Sequence, residues 1–159
     1  MQNKENQRFI RLKAALKREL EELEKLKKEI DELNIEESHP RLLGSILHDF
    51  YMGVERIFVR IAEELEGGLP NGASWHRELL NDMSMELDGI RPAVISEALR
   101  DRLDEYLRFR HLFRNIYAFH LDKVRLTELI KGLEEVFIDF QGAIQEFNQF
   151  LTTIASEVH

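Results

Sequence analysis

The chain has 159 residues, of which 43% are hydrophobic and 33% charged, a composition typical of one globular domain rather than of a disordered chain. Its formal net charge of −8 disfavours a surface that binds nucleic acid indiscriminately, because such binding depends on accumulated lysine and arginine. Any RNA contact should therefore be local. The chain contains no cysteine, which excludes disulfides, thiolate metal sites and a cysteine nucleophile.

The N-terminal segment lacks the apolar core of a signal peptide, and no run approaches the ~20 apolar residues of a membrane span. We therefore expect a cytoplasmic protein that has no membrane partner. The three prolines and eight glycines are few, which favours long helices. The six histidines form no paired ligand motif, so we predict no metal site and no cofactor.

A long amphipathic helix is predicted over residues 5 to about 34. Phe9, Leu16, Leu23 and Ile30 recur at seven-residue spacing, while Glu19 interrupts the intervening apolar positions. We therefore divide the chain into a coiled-coil-like N-terminal helix, residues 1–36, and a helical bundle, residues 37–159. The charged outer positions of the helix indicate a solvated face or, alternatively, a strip that binds a partner.

Four further helices are predicted, which gives an all-α, up-and-down bundle with one short helix. The second begins near Pro40 and ends at GGLPNGAS, and a short helix over residues 75–86 follows Ser74 as its cap. Ser96 is predicted to cap a helix that runs to Phe119, and Asp122 to cap the last helix.

The last predicted helix carries an uninterrupted apolar stripe from Ile130 to Val158. Such a stripe must be buried within the bundle, against a second copy of the chain, or both. This stripe, together with a preceding helix that is apolar on both sides, leads us to predict a homodimer.

The helix before it places two arginines, Arg110 and Arg114, on an apolar stripe, and its opposite side is also apolar. We therefore expect this helix to be enclosed on both faces. Since a buried arginine is costly unless it is paired or faces a pocket, two hypotheses stand. The arginines pair with acids such as Asp49 or Glu55, or they form an anion pocket suited to a phosphodiester.

The anion-pocket hypothesis also needs groups that transfer protons. His111 and His120 are the candidates, because imidazole titrates near neutral pH. Each is otherwise an ordinary surface or packing residue. The segment RNIYAFH places Arg114, Asn115 and His120 in the order arginine, polar residue, four residues, histidine.

In this segment the chain resembles the HEPN superfamily, whose ribonuclease members carry an arginine, a polar residue and a histidine four to six residues beyond the arginine. HDFYMGVERIF at 48–58, LPNGASWHRELL at 69–80 and IRPAVISEALRDRLDEYLRFRHLFRNIYAF at 90–119 are similar to HepT-like toxin ribonucleases. The likeness covers roughly residues 39–150. It implies a HEPN-like bundle and a homodimer whose Arg/His segments face one cleft.

The resemblance also implies metal-independent RNA cleavage, in which the ribose 2′-hydroxyl attacks the neighbouring phosphorus. Arg114 would hold the phosphate, His120 would assist proton transfer, and Asn115 would orient one of these groups. In one respect the chain departs from the better-known HepT pattern, which has a tyrosine two residues after the histidine, where this chain has Asp122. Because Arg114 and His120 diverge by about 120° on an ideal helix, His111 is the substitute candidate.

The resemblance implies a partner as well, a nucleotidyltransferase antitoxin of the MntA-like kind. In some systems such an antitoxin attaches AMP to a tyrosine beside the active motif, and Tyr117 is the corresponding candidate. Two alternatives remain open. One is a catalytically silent HEPN module that partners a nucleotidyltransferase, and the other is a coiled-coil adaptor that uses residues 5–34.

Overall fold

The computed structural model describes residues 2–117 and 120–157. Within these ranges it contains five α-helices and no β-strand, so the predicted all-α fold of four long helices and one short helix is confirmed. Phe119 and Val158, which the sequence analysis included in helices, lie outside the described residues. The helices are α1 (Gln2–Asp31), α2 (Pro40–Leu65), α3 (Trp75–Met83), α4 (Glu97–Asn115) and α5 (Lys123–Glu157).

Helix α2 is the centre of the bundle, because it contacts each of the other four helices. Helix α1 runs antiparallel to both α2 and α5, since residues early in α1 contact residues late in the other two helices. The side-chain pairs that define these directions are Arg8 with Glu64, Glu19 with Arg56, Lys13 with Thr152 and Glu24 with Gln141.

The apolar stripe of α1 packs inside its own chain, against α2 and α5. Its four most buried leucines are at most 5% exposed, and Glu19, which interrupts the stripe, pairs instead with Arg56 at 3.3 Å and with Arg60 at 3.4 Å on α2. These leucines are Leu12, Leu16, Leu20 and Leu23. The apolar stripe of α1 is therefore covered within the monomer.

The predicted helix caps are only partly correct. The Ser96 hydroxyl accepts a hydrogen bond from the Leu99 N–H at 3.1 Å, and the Asp122 carboxylate accepts one from the Val124 N–H at 3.0 Å, as predicted. The prediction for Ser74 is wrong in its detail, because its hydroxyl makes no cap bond at the start of α3.

Helix α4 ends at Asn115, before the predicted end at Phe119. The Asn115 side-chain amide donates to the His111 carbonyl oxygen at 2.6 Å, and Ile116 is extended, with φ −126° and ψ 156°. The Asn115 side chain therefore provides a hydrogen-bond donor for a carbonyl group of the last helical turn, at the point where the backbone leaves the helix. As a result, His120 lies beyond α4, in a short 3₁₀ turn.

The stripe of α5 is buried within the bundle from Ile130 to Leu151, so it no longer supports a second copy of the chain. The prediction that α4 is enclosed on both faces is wrong near its C-terminal end. There Leu112 is 49% exposed, and Tyr117, just beyond the helix, is 73% exposed. No helix in the described ranges is both long and apolar enough to cross a membrane.

Candidate functional site

A cleft of about 320 Å³ lies between the start of α3 and the C-terminal half of α4. Four arginines and two histidines line it, and no acidic residue is among the described lining residues. In a chain with a net charge of −8, this is a local concentration of positive charge. The lining residues are Ala73, Ser74, His76, Arg77, Leu107, Arg108, Arg110, His111 and Arg114.

The arginines of the cleft differ in whether they form an ion pair with a carboxylate of the same chain. Arg77 and Arg108 share the carboxylate of Asp104, and the distance from Arg108 Nε to Asp104 Oδ2 is 2.8 Å. Arg114 is exposed, and its side chain forms no ion pair or hydrogen bond with any residue in the described ranges. Among these arginines, Arg114 is therefore the one best placed to receive an anion from solution.

A buried charged cluster, formed by Glu55 of α2, His76 of α3 and Arg110 of α4, lies beneath the cleft. Glu55 and Arg110 are each 6% exposed. Glu55 Oε2 lies 2.7 Å from His76 Nδ1 and 3.3 Å from Arg110 Nη1, and the two nitrogens are 3.2 Å apart. The hypothesis that Arg110 pairs with an acid is thus correct, with Glu55 rather than Asp49 as that acid.

Tyr51 adds a buried hydroxyl to the surroundings of this cluster. Burial raises the pKa of Tyr51 well above its usual range, and the nearby Glu55 carboxylate raises it further. The phenol therefore stays protonated, and its oxygen has no hydrogen-bond partner among the residues that the structure describes.

The His76 ring is fixed from two directions. Glu55 binds its Nδ1, and the Trp75 ring stacks on it with a centroid distance of 3.7 Å and an interplanar angle of 30°. The side chain is nevertheless 29% exposed, so one part of the ring remains open to the cleft.

The structure brings together three of the residues that the sequence analysis singled out. Arg110, His111 and Arg114 line the cleft, whereas His120 is not among its described lining residues. The Asn115 amide is engaged with the His111 carbonyl group rather than with another candidate side chain.

Tyr117 lies outside the cleft as well. Its side chain is 73% exposed, and its ring centroid is 6.5 Å from that of His120. The two aromatic candidates thus lie near each other beyond the end of α4.

Sequence reasoning did not single out His76, although the residue lies in one of the quoted blocks. Its partner Glu55 is 21 positions away on another helix, a separation at which no local spacing rule applies. The sequence does contain one signal, which is Glu55 itself. It lies one turn from Tyr51 in a mostly apolar helix, and a carboxylate that is buried there requires a charged or hydrogen-bonding partner.

A family model described as HepT-like protein matches residues 42–151, from the first turn of α2 to the late part of α5. No curated protein and no solved structure matched the chain significantly. Because the family model matches more than half of its length, the chain belongs to the HepT-like family of the HEPN superfamily.

Proposed function

We propose that this chain is a metal-independent endoribonuclease toxin of a prokaryotic toxin-antitoxin pair, and that it cleaves RNA in the arginine-lined cleft. The observation that carries the proposal is the cleft itself, where four arginines and two histidines meet and no described lining residue is acidic. Guanidinium groups bind phosphate oxygens, and imidazole transfers protons near neutral pH. Attack of a ribose 2′-hydroxyl on the adjacent phosphorus is accelerated by groups of both kinds, which stabilise the phosphate charge and transfer protons.

Within this proposal, Arg114 binds the scissile phosphate and stabilises the charge that develops on it. Its exposure and the absence of a described acidic partner support that role. His111 lies three residues before Arg114 on α4, so both side chains reach the cleft, and His111 supplies one of the two proton transfers. The resemblance assigns proton transfer to His120, which stays a weaker candidate because it lies outside the cleft.

We further propose that the active form is a homodimer. The apolar stripe of α5 is covered by the bundle and does not support a dimer. The support comes instead from the exposed apolar surface at the end of α4. Leu112, two residues before the cleft residue Arg114, is 49% exposed. A second copy that covered this surface would bring its own cleft near the first.

The proposed antitoxin is an MntA-like nucleotidyltransferase, and Tyr117 is the proposed site of AMP transfer. The exposure of Tyr117 supports this assignment, since a modifying enzyme must reach the phenol. Co-expression with a nucleotidyltransferase encoded next to this chain should yield an AMP-modified peptide that contains Tyr117. An unmodified Tyr117 peptide in the mass spectrum would reject this route.

A catalytically silent HEPN module is the second candidate function. The observation that favours it is the position of His120 outside the cleft, together with the Asn115 amide that is used within α4. In that case the chain binds its nucleotidyltransferase partner without cutting RNA.

The two candidates are separated by incubating the protein with a mixed-sequence single-stranded RNA in excess EDTA. A sequence-matched 2′-O-methyl RNA serves as the control, because it lacks the attacking hydroxyl group. The toxin proposal predicts cleavage of the RNA alone, with product masses that correspond to a 2′,3′-cyclic phosphate. Cleavage of both substrates would refute the 2′-hydroxyl mechanism, and cleavage of neither would favour the silent module.

A further inference from the structure

The contacts of the His76 ring indicate which nitrogen of the imidazole carries the proton. Nδ1 lies 2.7 Å from Glu55 Oε2, which accepts hydrogen bonds, and 3.2 Å from Arg110 Nη1, which only donates them. The shorter of the two contacts favours a proton on Nδ1 that is donated to Glu55. The neutral ring then holds its free electron pair on Nε2. This atom makes no hydrogen bond with any residue in the described part of the chain.

The same arrangement provides for the charge that appears when His76 takes up a proton. Glu55 and Arg110 carry opposite charges that balance while the imidazole is neutral. When the ring becomes an imidazolium, the Glu55 oxygen at 2.7 Å attracts it and the Arg110 nitrogen at 3.2 Å repels it. Because the carboxylate is closer, its attraction is the larger of the two, and it keeps the orientation of the ring, as the aspartate does in a Ser-His-Asp triad. The ring also lines the same cleft as His111 and Arg114.

We propose that His76 is the general base of the cleft and that Glu55 is its positioning residue. This inference rests on the proposed ribonuclease function, and it assigns the base to a helix outside the Arg-to-His segment. A base held by a buried carboxylate is pre-oriented, whereas the exposed His111 is suited to the complementary role of acid.

The proposed step is balanced in atoms and protons. His76 Nε2 takes the proton of the 2′-hydroxyl, the 2′ oxygen forms a bond to phosphorus, and the bond from phosphorus to the 5′ oxygen breaks. The His111 imidazolium gives its proton to the leaving 5′ oxygen. The products are a 2′,3′-cyclic phosphate and a 5′-hydroxyl end, and exchange with water restores both histidines.

The test compares the wild type with His76→Gln and His76→Asn on the same single-stranded RNA in EDTA. The Asn variant retains an amide N–H that can donate to Glu55, so it preserves the buried cluster if the Gln variant fails to fold. We expect kcat/KM to fall at least about 100-fold in both variants, the usual contribution of a general base. The affinity for 2′-O-methyl RNA should not change. The pH profile should lose the ionisation that limits the wild-type rate on the acidic side.

His48→Gln is the matched control, because His48 is also partly buried beside an acid, with Nδ1 3.7 Å from Asp49 Oδ1, but lines a different pocket. The His48→Gln variant should cleave the RNA at the wild-type rate. If the wild type cuts RNA and folded His76 variants cut equally fast, or lose RNA affinity rather than rate, the assignment of the base is overturned while the ribonuclease function stands. If the wild type cuts no RNA, the ribonuclease function fails, and the base assignment fails with it.

Discussion

The Arg110 guanidinium meets the Glu55 carboxylate across the interface of α4 and α2, with Nη1 and Oε2 3.3 Å apart and both residues 6% exposed. Only one turn further along α4, Arg114 is exposed and has no described acidic partner. Two arginines of one helix face therefore have different environments, so they should respond differently to substitution.

Arg110→Ala should destabilise the protein much more than Arg114→Ala. Removal of Arg110 leaves the buried Glu55 charge without its guanidinium, which typically costs about 3–5 kcal/mol of unfolding free energy. Arg114→Ala removes an exposed side chain, and its effect should stay within about 0.5 kcal/mol. Urea denaturation followed by circular dichroism measures both. Equal effects of the two substitutions would contradict the described pairing.

The free energy of unfolding should depend on pH through the ionisation of Asp82 in α3. Burial raises the pKa of Asp82 above its ordinary value, and the Glu66 carboxylate raises it further, while Arg91 offsets part of the increase. The folded state therefore binds a proton at higher pH than the unfolded chain does. It follows that the stability contribution of Asp82 increases as the pH falls through the raised pKa, and that ionised Asp82 is destabilising above it.

Asp82→Asn should accordingly unfold at a higher temperature than the wild type at pH 7. The difference should vanish at a pH below the pKa of Asp82 in both states. Asp88→Asn is the control for a general effect of net charge, because Asp88 is an exposed acid of the following loop. An equal gain in both variants, or a gain that persists in acid, would show that the environment of Asp82 is not the cause.

The dimer proposal predicts that Leu112→Asp converts the protein to a monomer. A carboxylate in the centre of an apolar interface would be desolvated without a partner. Ile138→Asp is the matched control, since Ile138 is 53% exposed on α5, away from the cleft. Light scattering at micromolar concentration should give the mass of two chains for the wild type and the control. A monomeric wild type would remove the shared-cleft arrangement.

Much of the fold could be predicted because its signals are local. Pro40 marks the start of α2, and the Ser96 and Asp122 caps follow from side chains next to the backbone groups that they bind. The end of α4 could not be predicted in the same way. No glycine or proline marks it, and the apolar pattern of the sequence continues beyond Asn115, where the backbone leaves the helix.

The site was predictable to the extent that it lies on one helix. Helical spacing places Arg110 and Arg114 on one face, and their joint presence in the cleft follows from that spacing. His76 reaches the cleft only through the packing of α3 against α2 and α4. That packing depends on contacts between distant segments, which one sequence without its structure does not specify.

The proposed ribonuclease site is tested most directly by the rates at which the wild-type and Arg114→Ala proteins cleave single-stranded RNA in excess EDTA. Arg11→Ala, which alters an exposed arginine of α1, serves as the control, and circular dichroism verifies that all three proteins are folded. Loss of a preorganised phosphate contact should slow Arg114→Ala by about 100-fold, equivalent to about 3 kcal/mol of transition-state stabilisation. The control should match the wild type. If the wild type does not cut RNA, or if Arg114→Ala cuts as fast as the wild type, the cleft is not the ribonuclease site proposed for it.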